Sequence, residues 1–98
     1  MSYAVAFSPT AAAELEAIHE YILGEFGPAA QRKFYRKLYK SLALLGTFPH
    51  SCLESDAITG LRKIVVTEYT IMLFSINGNA VEIAAVLDGR RDYESMEY

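Results

Sequence analysis

Residues 69–88 read YTIMLFSINGNAVEIAAVLD. Two runs rich in β-branched and aromatic residues, YTIMLFSI and AVEIAAVLD, flank Asn77, Gly78 and Asn79. AsnGly between such runs is the strongest short-range hairpin signal in the chain. YTIMLF is apolar on both faces, which places it inside a sheet rather than at its edge. Just upstream, LRKIVV (61–66) is separated from it by ThrGlu and supplies a third strand.

The N-terminal half has a different period. In YAVAF, Tyr3, Val5 and Phe7 alternate with small residues, the pattern of a short strand. Ser8 and Pro9 then open a helix, with serine suited to accept backbone donors and proline pre-set for the first helical position. Ala11, Leu15, Ile18, Ile22 and Phe26 form one apolar stripe on it. Gly27 and Pro28 end this helix and begin another, whose stripe of Ala30, Phe34, Leu38, Leu42 and Leu45 runs to Gly46. So short a connection implies an antiparallel helical hairpin. TFPHSCLESDAITG, residues 47–60, has no period and reads as a surface loop. The order is βααβββ: one α+β domain over residues 1–98, an antiparallel-rich sheet with the helical hairpin on one face.

The chain has 98 residues, 52% of them hydrophobic and 21% charged, with a formal net charge of −3. A domain of this size buries roughly 60 to 65% of its unfolded surface, so a partner that covers apolar area adds useful stability. The acidic balance argues against a protein that coats nucleic acid. The single cysteine, Cys52, has no internal disulfide partner, as is usual in reducing cytosol. With Arg32 the first basic residue and no long apolar run, a secretory signal and a membrane helix are not expected, and the reading is cytoplasmic.

Several features in order resemble one family. They are Tyr3 to Pro9 leading into Ala12 and Leu15, Ala30 and Phe34, Phe48 and Pro49, the GlyLeuArgLys run from Gly60, Tyr69 and Ile71, and VLDGRRD from Val86 to Asp92. Together they resemble the ParE/RelE superfamily of type II toxins, with the ParE-like, plasmid-stabilisation branch favoured. The resemblance implies a toxin that inhibits DNA gyrase. It also implies neutralisation by a ParD-like antitoxin with a ribbon-helix-helix N-terminus, which would contact operator DNA on the toxin's behalf. The other branch cuts messenger RNA on the ribosome, and a third possibility is a non-toxic member that keeps only antitoxin binding. No metal or organic cofactor is implied.

The two toxic branches demand different residues. An RNase must place several cations and an acid/base group around one phosphate, whereas a gyrase poison needs a binding surface. The target-binding candidates are Arg90, Arg91, Asp92 and Tyr93 after the last strand, with Arg62. For an RNase, the candidates would be Arg62, Lys63, Arg90 and Arg91, with Tyr93 or Tyr98 as proton donor. Ribosome-cutting relatives carry an arginine just after the tyrosine corresponding to Tyr69, and here that position is Thr70. Arg62 and Lys63 are adjacent and point to opposite faces of a strand. On residue type alone, Arg90 and Arg91 also describe a solvated turn, and Lys63 an edge-strand guard.

Charge segregates between the helices. Glu14, Glu16, Glu20 and Glu25 lie on the first, and Arg32, Lys33, Arg36, Lys37 and Lys40 on the second. One reading is a basic ridge for nucleic acid or for an acidic antitoxin; the favoured expectation is complementarity across the hairpin, each pair contributing about 0 to 1 kcal/mol, with His19 solvated on the same polar face. His50, Cys52, Glu54 and Asp56 lack a second ligand pair at metal-site spacing. Because the hairpin covers only one side of the sheet, apolar surface near the other is expected to stay open for an amphipathic helix or an added strand.

Overall fold

The computed structural model describes residues 2–55 and 58–89. Strand β1 (Ala4–Phe7) leads into helices α1 (Pro9–Phe26) and α2 (Pro28–Thr47). A single 3₁₀ turn over Pro49–Ser51 follows, and then strands β2 (Arg62–Val65), β3 (Thr70–Asn77) and β4 (Ala80–Asp88). The sheet order is β1-β4-β3-β2. The meander β2–β3–β4 is antiparallel, and β1 adds to β4 in parallel. The expected order βααβββ is therefore the observed one, with β3 inside the sheet.

Local chemistry accounts for each junction. Ser8 Oγ accepts from the Ala11 amide at 3.0 Å and caps α1. Gly27, at φ 89°, reverses the chain in one residue, its amide closing α1 on the Leu23 carbonyl and Pro28 opening α2. In the β3–β4 hairpin Asn77 pairs with Ala80, so Gly78 and Asn79 form a two-residue turn. Gly78 is at φ 60° and no non-glycine among the described residues has positive φ, the pattern of a II′ turn with glycine first.

Residues directly opposed in a sheet share a face, so the register sorts the side chains. Ile64, Met72 and Val86 form one row beneath the helices, and Arg62, Phe74 and Ile83 the next. Ala11, Ile18 and Ile22 of α1 and Phe34, Leu38 and Leu45 of α2 pack on these rows to make the core. Phe26, expected at the end of the α1 stripe, is instead 54% exposed, since it lies in the last turn, at the rim of the sheet.

The β3–β4 register shifts between Leu73, opposite Ala85, and Phe74, opposite Ile83, which leaves Ala84 as a bulge. The backbone groups there are satisfied from the N-terminal segment. Ser8 Oγ donates to the Ala84 carbonyl at 3.2 Å, and the Val86 amide donates to Glu14 Oε1 at 2.9 Å. The Ser8 amide donates to the Ile83 carbonyl at 2.8 Å, carrying the parallel ladder one residue past β1. Replacing Glu14 with alanine should therefore strand the Val86 amide and lower unfolding free energy by about 1 to 3 kcal/mol in urea titration, whereas Glu16→Ala, at an exposed position, should change it by less than about 0.5 kcal/mol.

Candidate partner-binding surface

The end of β4 is locked to the start of β3. Thr70 is fully buried and Asp88 is 3% exposed, and Thr70 Oγ1 donates to Asp88 Oδ2 at 2.9 Å. Thr67 Oγ1 donates to Thr70 Oγ1 at 3.2 Å and accepts from the Tyr69 and Thr70 amides. The Gly89 amide donates to the Tyr69 carbonyl at 2.6 Å. A hydroxyl, a carboxylate and two turns of backbone thus fix the point from which the chain continues to Arg90.

Arg90, Arg91, Asp92, Tyr93 and Tyr98 lie outside the described residues. The two other candidate cations do point to opposite faces. Arg62 stands in the helix-side row and its Nη1 donates to the Cys52 carbonyl at 2.7 Å, pinning the loop after α2. Lys63 is half-buried on the far face, opposite Leu73. Arg62 pairs with Phe74, four positions from Thr70, so it stands about 13 Å along the strand from the Asp88 end. The structure does not bring Arg62 to that end of the sheet.

Among the described residues no three of His, Cys, Asp and Glu converge as metal ligands, and Asp56 lies outside those residues. Burial pushes the Cys52 thiol above its usual pKa, with the Ser51 hydrogen bond and the Arg62 charge pulling the other way.

The charge pattern of the hairpin resolves differently from the expectation. Among the described residues no ion pair joins the acids of α1 to the bases of α2. Gln31 and Tyr35, with Tyr39 beyond, lie on the α1 side of α2, where His19 Nδ1 and Tyr35 Oη are hydrogen-bonded at 2.7 Å and Gln31 Nε2 is 3.0 Å from His19 Nε2. His19 is half-buried rather than solvated. Burial, then the charge of Glu16, then Tyr39, raise the Tyr35 pKa above its ordinary value. Lys33, Lys37 and Lys40 follow at helical spacing on the opposite flank and turn toward β2, because the 3.6-residue period places i, i+4 and i+7 together.

There Lys37 and Lys40 wall an open groove of about 770 Å³ between α2 and the sheet edge, lined also by Leu44, Phe48 and Val65. Phe48 is 66% exposed, Val65 61% and Leu44 39%. A smaller hollow of about 220 Å³ holds Lys33 and Lys37 with Phe26 and Tyr69. Open apolar surface thus gathers at the α2–β2 seam. The far face of the sheet keeps apolar surface open as expected, since Val65, Ile71 and Leu87 share a row there with Val65 61% and Leu87 36% exposed, although Leu73 beside them is buried. The lysines' i, i+4, i+7 spacing, continued by Leu44 at i+11, was the available signal, obscured by the acidic helix nearby in sequence.

A four-stranded mixed sheet under a helical hairpin, with a polar lock at one end and an open cationic and apolar groove along one edge, defines a small α+β protein. The family described as ParE toxin of type II toxin-antitoxin system, parDE, matches residues 5–93, and the chain belongs to it. A solved structure of a chromosomal ParDE toxin-antitoxin system from P. aeruginosa matches at TM-score 0.75 and 17% identity, covering 89% of this chain and 96% of that one. YafQ from E. coli strain BL21(DE3) shares the fold at TM-score 0.60 and 13% identity over 93% and 98% of the two chains. The YoeB-YefM complex from Staphylococcus aureus does so at TM-score 0.59 and 14% identity over 89% and 97%. No curated relative matches the sequence. No helix among the described residues is long and apolar enough to cross a membrane.

Two outcomes follow from this geometry. Thr70→Val, nearly isosteric, should cost about 1 to 3 kcal/mol in urea unfolding by leaving Asp88 Oδ2 without this donor, and unchanged stability would show that the bond contributes nothing. Because the Cys52 pKa is raised, less thiolate is present at mildly alkaline pH, so iodoacetamide should alkylate it more slowly in the folded chain than in denaturant.

Proposed function

We propose that this toxin acts in the cytoplasm by binding DNA gyrase, with Arg90, Arg91, Asp92 and Tyr93 as its target-binding end, and that a ParD-like antitoxin holds it inactive and links it to operator DNA. The observation that carries the gyrase reading is Thr70. It occupies the position where ribosome-cutting relatives place an arginine, yet it is fully buried and its hydroxyl is bound to Asp88. A cation in that place would remove the hydroxyl that Asp88 accepts from and would have to turn out of the core, whereas Thr70 stays inside it.

Arg62 and Lys63 support the same reading. The first is held by a loop carbonyl and the second lies on the other face, so the β2 pair does not close around one phosphate. The likeness to YafQ and YoeB is one of fold, at 13% and 14% identity, and fold alone carries no reaction. The solved ParDE and YoeB-YefM structures are complexes of a toxin with its antitoxin, which supports an antitoxin as partner.

Arg90→Ala with Arg91→Ala should abolish growth arrest while circular dichroism and antitoxin binding stay as in the parent chain. With purified gyrase, the parent chain should inhibit supercoiling and accumulate double-strand breaks, and translating ribosomes should keep their messenger RNA intact. Codon-positioned cuts with unaffected gyrase would reverse the assignment. Activity in neither assay, with antitoxin binding retained, would mark a non-toxic member.

A further inference from the structure

Helix α2 carries a second cationic feature, on the side turned away from the core. Five of the chain's nine Lys and Arg lie on this helix, which holds none of its twelve Asp and Glu. Arg32, Lys33, Arg36, Lys37 and Lys40 are all exposed. Burial of Phe34, Leu38 and Leu45 fixes the rotation of the helix, so its period sets Arg32, Arg36 and Lys40 along the outer ridge, successive positions about 6 Å apart along the axis. Lys33 and Lys37 stand beside that row on the β2 flank, and Tyr39, 64% exposed, stands on the flank toward α1. Glu68, at the turn between β2 and β3, lines the hollows that Lys33, Lys37 and Lys40 wall, and Arg32 and Arg36 line neither. Among the described residues no carboxylate forms an ion pair with any of the five bases.

We propose that this ridge binds the phosphate backbone of double-stranded DNA, with Arg32, Arg36 and Lys40 as the main contacts, Lys33 and Lys37 flanking them, and the Tyr39 hydroxyl donating to a further phosphate oxygen. Charge complementarity selects the occupant. A net acidic chain is unsuited to coating nucleic acid, but with its bases gathered on one helix only that helix is drawn to a polyanion while the acidic remainder is repelled, which orients the approach. Only the small residues Ala29 and Ala43, both exposed, lie in line with the row. An acidic polypeptide would therefore find charges on the ridge without the buried anchor that protein interfaces rest on, whereas phosphate contacts need none. Single strands stack their bases on several aromatic rings, and Tyr39 is one ring already packed 5.9 Å from that of Tyr35. That the duplex is the segment held by gyrase rests on the functional reading above, while the phosphate chemistry rests on the ridge alone.

The test follows the anisotropy of a fluorescent duplex of about 30 base pairs mixed with the full chain across a salt series. The parent should bind at low salt, equally on two unrelated sequences, and lose affinity steeply as salt rises. The variant Arg32→Gln, Arg36→Gln, Lys40→Gln should weaken binding more than about tenfold at low salt and flatten the slope of log affinity against log salt by about three, with the melting curve retained. Lys63→Gln, on the far face of the sheet, should leave that slope unchanged. An unchanged slope in the triple variant, a preference for single-stranded RNA of the same length, or tighter binding of polyglutamate than of the duplex would overturn the proposal. Supercoiling assays separate the two readings. If the duplex binds as described and gyrase is unaffected by the parent chain, the ridge stands and the gyrase reading fails; if gyrase is inhibited and neither chain binds the duplex, the gyrase reading stands and the ridge fails.

Discussion

Strand β1 lies in parallel beside β4, so the two strands furthest apart in sequence among the described residues are hydrogen-bonded to each other. The pairing of Ser8 with Ala84 closes a loop of 76 positions, a non-local contact whose ordering entropy must be offset by what it encloses. What it encloses is the core. With β1 fixed at one edge and the Tyr3 amide bonded to the Gly46 carbonyl at 2.8 Å, both ends of the helical hairpin are tied to the sheet. The two apolar stripes then have no other place to bury themselves. The Ala84 bulge belongs to the same constraint, because the extra residue offers backbone groups at the height where Ser8 and Glu14 arrive. The helix start thereby caps itself and satisfies a defect in the strand beside it.

The part of this that could be read from the sequence is the part governed by short range. A turn glycine between two β-rich runs, a serine and proline before an apolar stripe, and glycine followed by proline between two stripes each have a local cause. All three stand where the sequence places them. The parallel pairing has no local cause, since Tyr3 to Phe7 fits either edge of the sheet equally well. Nor does the bulge: AlaAla at 84 and 85 breaks the alternation of AVEIAAVLD without saying which residue is extra. Phe26 shows the limit of periodicity itself. It continues the stripe in angle but lies past the end of the surface it would cover.

The helix charges teach a related point about magnitude. Sequence proximity of four glutamates to five cations suggests pairing, yet exposed pairs contribute too little to orient a helix, and burial of Phe34, Leu38 and Leu45 decides its rotation. Once that face is fixed, the lysines fall on the flank toward β2 and Tyr35 on the flank toward α1. Hydrophobic burial thus distributes the charges, and a cationic wall arises beside the sheet edge as a consequence of which residues had to be inside.

The same ordering of forces bears on how this fold serves different chemistries. The row joining Thr70 to Asp88 closes the β3–β4 pairing at one end of the sheet. A small hydroxyl there sinks into the sheet and ties β3 to a buried carboxylate, stiffening that end. A long cation could not be buried without several kcal/mol of desolvation and would have to reach outward, opening that end to a phosphate. One position therefore trades a structural lock against an electrostatic contact, and this chain carries the lock.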